Sequence, residues 1–393
     1  MSISRTYLDH AATTPLDPRV LEAMLPYFHD HFGNPGYLHF WGQRAESALD
    51  RARQEVADIL NCDFDEIIFT SGGSESNSLA LIGTVIDARR RSGANRILTT
   101  PVEHPSVIQT ARELEGQHGF DLEMIPVDDY GLVSLEELNK LLSKDVALVS
   151  VIYANNEVGS INPIREIGVL CRDSGIAFHV DALQAANHLD ISVDNLMVDL
   201  LSLGAHKFYG PKGVGILYVR SSIPIHPTQR GGSQEFDRRA GTQNIPSIVG
   251  FAEALKVAET EKQSVTSHCA DLQAMLINET LNGIESVNLT GHPKNRLSNH
   301  ASFVFQDIDS NSLLSALDIA GFACSSGSAC KVGDAKASEV LTALNIPEEL
   351  ALGALRVTVG RSTTEESVRR FLEILPPLVE RLRQTTKKAD VRS

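Results

Sequence analysis

Val146-Ala147-Leu148-Val149-Ser150-Val151-Ile152 is apolar at six of its seven positions. A half-wet strand alternates apolar and polar residues, whereas a run like this suits a strand covered on both faces, as in a parallel sheet. Similar β-rich runs lie at residues 66–70, 96–99, 122–127, 176–181, 200–203 and 213–219. Helical patterns fall between them. Pro105 suits a first helical position, Ser134 with Glu137 fits a capping box, and Pro163 opens a helix running to Gly175. Alternation of this kind predicts an α/β domain, a mostly parallel sheet with helices on both faces.

After Arg220 the pattern changes. Turn formers crowd residues 224–244, and a long helical pattern follows over 248–282. Beyond it the reading expects strands at 302–305 and 354–359, a helix at 312–320, and a last helix opened by Thr363 and Glu366 that runs to about Gln384. The expected organisation is a large domain over 16–261, a smaller α+β C-terminal domain over 262–386, and a tail over 387–393.

Composition bounds the function. Of 393 residues, 42% are hydrophobic and 22% charged, which excludes a disordered or fibrous chain. Thirty-five basic against fifty acidic side chains leave a formal charge of −15, which argues against nucleic acid or a membrane surface as partner. No apolar run approaches the roughly 20 residues of a membrane span, and the N-terminus lacks a signal-peptide pattern. Five cysteines at irregular spacings do not suggest a disulfide framework, so a soluble cytoplasmic protein is expected.

Three segments carry chemistry. Lys207 sits in a turn-rich stretch after an apolar run, beyond the carboxyl end of a strand, where open α/β sheets bind ligands. A pyridoxal phosphate enzyme needs such an amine to form a Schiff base with the cofactor aldehyde. Asp181 closes the 176–181 run and supplies an acid for a pyridine nitrogen, with Gln184 three residues on as a donor to the phenolate oxygen. Ser71-Gly72-Gly73-Ser74 passes from a strand into a helix, offering close backbone approach and free N–H groups for a phosphate. Each alone has a bland reading, as a surface lysine, a strand cap or a tight turn. Neither nucleotide-binding glycine motif is present there.

In this order the three segments resemble the cysteine desulfurases, within the class V branch of the fold-type I pyridoxal phosphate enzymes. The resemblance runs from Tyr7-Leu8-Asp9-His10-Ala11-Ala12-Thr13-Thr14-Pro15 through Gly33-Asn34-Pro35, the Gly72–Asn77 turn, Val102-Glu103-His104 and Asn155-Asn156-Glu157-Val158-Gly159. It continues through Asp181–Gln184, Ala205-His206-Lys207, Arg238-Arg239-Ala240-Gly241-Thr242, Ser325-Ser326-Gly327-Ser328-Ala329-Cys330 and Arg356-Val357-Thr358-Val359-Gly360-Arg361.

The resemblance implies pyridoxal 5'-phosphate on Lys207, which also serves as acid and base at the substrate Cα. It implies that His104 stacks on the pyridine and shuttles a proton, and that Asp181 pairs with the ring nitrogen. Asn155 and Gln184 would contact the phenolate region or the substrate. Gly73, Ser74 and His206 would hold the phosphate, joined by Thr242 from the partner of a homodimer. Arg356 would clamp the carboxylate of L-cysteine, a task that suits a guanidinium fork. Residues 1–15 would form an arm packing with the small domain. Cys330 would be the nucleophile, in a small and polar stretch expected of a mobile loop, carrying a persulfide to a sulfur acceptor. Iron–sulfur cluster assembly or tRNA thiolation would use that sulfur, and Cys330 would bridge to a cluster on a scaffold partner; no resident metal is expected. Cys62, Cys171, Cys269 and Cys324 read as packing residues. Against the family pattern, Gly204 stands in place of a serine, Ser74 in place of a threonine, and Gly36-Tyr37 in place of two serines, with Trp41 adding bulk nearby. A selenocysteine lyase or other class V lyase is the alternative, separable by comparing alanine formation from cysteine and selenocysteine. A non-enzymatic sulfur-relay scaffold is a more distant one.

Overall fold

The computed structural model of the protein describes residues 5–327 and 337–390. Its main sheet has seven strands, in the order Ile67–Thr70, Gly215–Val219, Leu200–Gly204, Phe178–Asp181, Val146–Ile152, Arg96–Thr99, Asp121–Met124. From Leu200–Gly204 to Asp121–Met124 all neighbours are parallel; Gly215–Val219 runs antiparallel to both of its flanks. The three central strands are buried at every residue, as their apolar composition requires. Alternate side chains divide between two cores on opposite faces: Ile67 and Phe69 join one, Ile68 the other. The expected α/β architecture is therefore present.

A second sheet is antiparallel, with Val287–Leu289 and Ala354–Thr358 flanking His300–Phe305. It packs with helices Ser310–Ile319 and Glu365–Asp390 around a separate core. One helix, Ile245–Gly283, serves both cores, burying Phe251 and Leu255 in the first and Leu272 and Leu276 in the second. The N-terminal segment joins the second unit: Thr6–Tyr7 pairs in parallel with Phe322–Ala323, and Leu8 enters its core. No helix among the described residues is long and apolar enough to cross a membrane.

Four parallel strands end at the same edge of the main sheet. The segments that leave them carry His104, Asn156, Asp181 and Lys207, so the topology itself gathers the chemistry at the carboxyl ends.

Candidate active site

A cavity of about 210 Å³ opens at this edge, and its wall includes His104, Asp181, Gln184, Lys207 and Arg356. Lys207 ends a 3-10 turn, Ala205–Lys207, that follows strand Leu200–Gly204. Its Nζ donates to the carbonyls of Ala11 (2.6 Å) and Ala12 (2.8 Å), so the N-terminal segment closes over the amine. Burial, and then the Arg356 cation, push its pKa down to about 8, against the opposing pull of Asp181 and Asp9.

Asp181 is only 2% exposed. Its Oδ1 accepts from the Leu183 N–H (3.1 Å) and its Oδ2 from Asn77 Nδ2 (2.7 Å). Asn77 also donates to Ser106 Oγ (2.9 Å), which lies 2.8 Å from His104 Nδ1. A polar chain thus joins the acid to the imidazole. His104 caps helix Pro105–His118, with Nδ1 accepting the Ser106 N–H at 3.1 Å. Its ring proton therefore stands on Nε2, and burial lowers its pKa, so the ring is neutral. The preceding Glu103 pins this segment to the sheet, its carboxyl accepting from Thr100 Oγ1 (2.7 Å) and Ile152 N–H (2.9 Å).

The phosphate turn is built from backbone. Gly72, with φ of 149°, caps helix Gly73–Ser92 in a region that side chains avoid. A Cβ on Gly73 would lie 2.1 Å from Leu183 Cδ2, and Leu183 also lines the cavity, so only glycine admits this approach. The first N–H groups of the helix lack helical acceptors and stand free for an anion. Ser74 is exposed beside them. His206 Nδ1 lies 3.2 Å from Thr13 Oγ1, and burial pushes its pKa down to about 4. A backbone cradle, a buried acid and a depressed amine in this order fit pyridoxal phosphate.

Arg356 already holds a carboxylate: Nη2 donates to Asp9 Oδ1 (2.6 Å) and Nη1 to the Asn156 carbonyl (2.8 Å), while Nε has no partner among the described residues. Gln184 Nε2 donates to the Ala11 carbonyl at 2.9 Å. Asn155 stands outside the cavity wall. Its Oδ1 accepts the N–H groups of Glu157 and Val158, and its Nδ2 donates to the Val102 carbonyl; the neighbouring Asn156 lines the cavity instead. Thr242 is exposed and also outside that wall. Cys330 lies outside the described residues, but Ser325 and Gly327 line the cavity. Of the four described cysteines, Cys171 and Cys269 are buried, and burial raises all four thiols, Cys62 and Cys269 to about 12. Among the described residues no cluster of three metal-ligating side chains occurs. Asn77, Ser106 and Asp9 were not assigned roles from sequence. The one signal in the sequence is the place of Asn77 just past the glycine turn, at the start of a helical pattern.

The segment before Thr242 is strained. Glu235, Phe236 and Asp237 take φ of 48°, 58° and 62°, left-handed values that cost about 1–2 kcal/mol each for such residues. A buried ion pair holds them there. Arg53 Nη1 and Nη2 meet the two Glu235 oxygens at 2.8 and 2.9 Å, and Phe69 N–H donates to the same carboxylate at 2.9 Å.

A family model, class-V aminotransferase, matches residues 6–371. The chain is 42% identical over 377 residues to the cysteine desulfurase IscS of Dictyoglomus turgidum, covering 96% of this chain and 95% of that one. Among solved structures, a NifS-like protein superposes with a TM-score of 0.89 at 36% identity, covering 96% of this chain and 99% of that one. SspA, solved in complex with cysteine, has a TM-score of 0.79 at 33% identity, covering 91% and 99%.

Proposed function

We infer, for a chain that belongs to the class-V aminotransferase family, a pyridoxal phosphate-dependent cysteine desulfurase that converts L-cysteine to L-alanine and takes the sulfur onto Cys330. The observation that carries this is the meeting of the Lys207 amine with Asp181 and Arg356 in one cavity. Pyridoxal phosphate, when bound, supplies an electron sink for charge developing at the substrate Cα. The Gly73 and Ser74 N–H groups and His206 would hold its phosphate, Asp181 would pair with its ring nitrogen, the neutral His104 ring would stack on it, and Gln184 would donate on its phenolate side. Asn155 acts through the turn that presents Asn156.

Arg356 binds the substrate carboxylate, and Lys207 moves the proton at Cα. The Cys330 thiolate attacks the substrate sulfur, forming an S–S bond as the carbon–sulfur bond breaks. That bond's electron pair stays on carbon, which is protonated to give alanine, and a persulfide remains on Cys330. Cys330 follows Gly327 by three residues, a covalent reach of at most about 11 Å from the cavity wall.

The persulfide sulfur then passes to an acceptor protein, such as an iron–sulfur scaffold or a thiolation relay. We place the small domain at about 262–386, with residues 1–15 as an arm against it. Two copies form the active unit, with Thr242 reaching the partner's phosphate. Phe28, Phe32, Leu38, Phe40 and Trp41 are all exposed, Leu38 by 92%, and an apolar surface of this extent fits an interface between copies.

Cys330→Ser tests the reading. The variant keeps the side chain's size but replaces an ionisable thiol with an alcohol. It should bind the cofactor and change its spectrum on adding cysteine, yet release alanine at least about 100-fold more slowly, while Cys324→Ser keeps most activity. Near-normal alanine release by Cys330→Ser would remove Cys330 as nucleophile and favour a lyase.

A further inference from the structure

An acid sits at the mouth of the phosphate turn. Glu75 lies in the first turn of helix Gly73–Ser92 and reaches back, its Oε2 accepting the Ser71 N–H at 2.6 Å. A free carboxylate here would repel a phosphate dianion and compete with it for the same backbone donors. It is not free. Arg239 Nε donates to Glu75 Oε1 at 2.7 Å and Nη2 to Oε2 at 3.1 Å, a fork closed on both oxygens. Both side chains are largely buried, with exposures of 17% and 21%. Arg239 follows the strained 235–237 turn with only Arg238 between, and Gly241 N–H donates to Gln234 Oε1 at 3.0 Å across that same turn. The Arg53–Glu235 pair thus braces the backbone from which Arg239 emerges.

We propose that Arg239 is a positioning residue for the phosphate turn: it neutralises Glu75 and fixes it against Ser71, leaving the N–H groups of residues 73–75 to a phosphate monoester. This rests on the cofactor reading above. Burial alone would raise the Glu75 carboxyl, yet Arg239 and Ser71 hold it below the ordinary carboxylate value, so the acid stays ionised and the pair stays closed.

The test compares pyridoxal phosphate with pyridoxal, which lacks the phosphate, by equilibrium dialysis against the full chain stripped of cofactor. Arg239→Gln should weaken pyridoxal phosphate about tenfold, the size of one like-charge contact near a protein surface, and leave pyridoxal unchanged. Glu75→Gln/Arg239→Gln should return pyridoxal phosphate to within about threefold of wild type, because the repelling charge is gone. Arg239→Lys keeps the charge but gives up the fork, so it should lose less than Arg239→Gln. Equal weakening of both ligands by Arg239→Gln, a double variant no better than the single, or a tenfold loss in Arg239→Lys would each overturn the proposal. A wild-type protein that does not prefer pyridoxal phosphate over pyridoxal would instead overturn the cofactor reading itself.

Discussion

The Lys207 amine should titrate far below an ordinary lysine. With its pKa pushed from 10.5 down to about 8, about one amine in four is neutral near pH 7.5, against about one in a thousand for a free lysine. Only the neutral amine attacks an aldehyde, so the structure implies a gain of about two orders of magnitude in reactive lysine. Burial is the main cause, followed by the Arg356 cation, with Asp181 and Asp9 opposing. Two variants therefore move the value in opposite directions. Arg356→Gln removes a cation and releases Asp9, so the midpoint should rise; Asp181→Asn removes an anion, so it should fall. The assay follows growth of the visible band after pyridoxal phosphate is added to cofactor-free protein, as a function of pH. Its rate should level off above about pH 8. The same shift has a stability consequence. The folded state binds fewer protons than the unfolded one between about 8 and 10.5, so the cofactor-free protein should gain stability as pH rises through that window. A capture rate still climbing steeply beyond about pH 10, where an ordinary lysine titrates, would refute the reasoning.

Gly204→Ser should be tolerated, since an added Cβ would stand 3.4 Å from Gly73 N and 3.6 Å from Leu183 Cδ2, both ordinary contacts. Its hydroxyl would sit beside the phosphate turn and should tighten pyridoxal phosphate about 3- to 10-fold; unchanged or weaker binding in dialysis would place that hydroxyl elsewhere. The protein should sediment as a dimer at activity-assay concentrations, and a fully active monomer would remove Thr242 from the partner's site.

The main sheet was legible because burial on both faces leaves no polar alternation, and Val146–Ile152 and Leu200–Gly204 lie within a residue or two of the runs that announced them. Strand direction was not. Gly215–Val219 is as apolar as its neighbours yet runs antiparallel to them, and side-chain period carries no sign. Val287–Leu289 escaped because three residues, two half-buried around an exposed Asn288, make too short a pattern. Helix Ile245–Gly283 was visible, but the sequence does not mark where along it one core gives way to the other. In the site, Lys207 and Asp181 announced themselves by following strands. The residues that hold them did not: Asn77 lies 104 positions from Asp181, and the carbonyls over Lys207 belong to alanines nearly 200 positions away. Residues 155 and 156 are both asparagine, and only the backbone path decides that Asn156 faces the cavity.

Arg356 shows how such long-range pairing shapes the chemistry. A guanidinium assigned to a substrate carboxylate is found holding Asp9, 347 positions away, at 2.6 Å. Arg356 is 3% exposed, and a buried cation without a counter-ion is costly. Asp9 therefore supplies the counter-ion that keeps the guanidinium paired and aimed at the cavity. Its Nε, unpartnered among the described residues, would offer one donor to a substrate carboxylate without disturbing Asp9. A bidentate grip on such a carboxylate would need Nη2 as well, the nitrogen that Asp9 holds. Asp9 precedes the Ala11 and Ala12 carbonyls that bind Lys207 Nζ by two and three residues, so one short stretch of backbone carries both the counter-ion of Arg356 and the acceptors of the Lys207 amine.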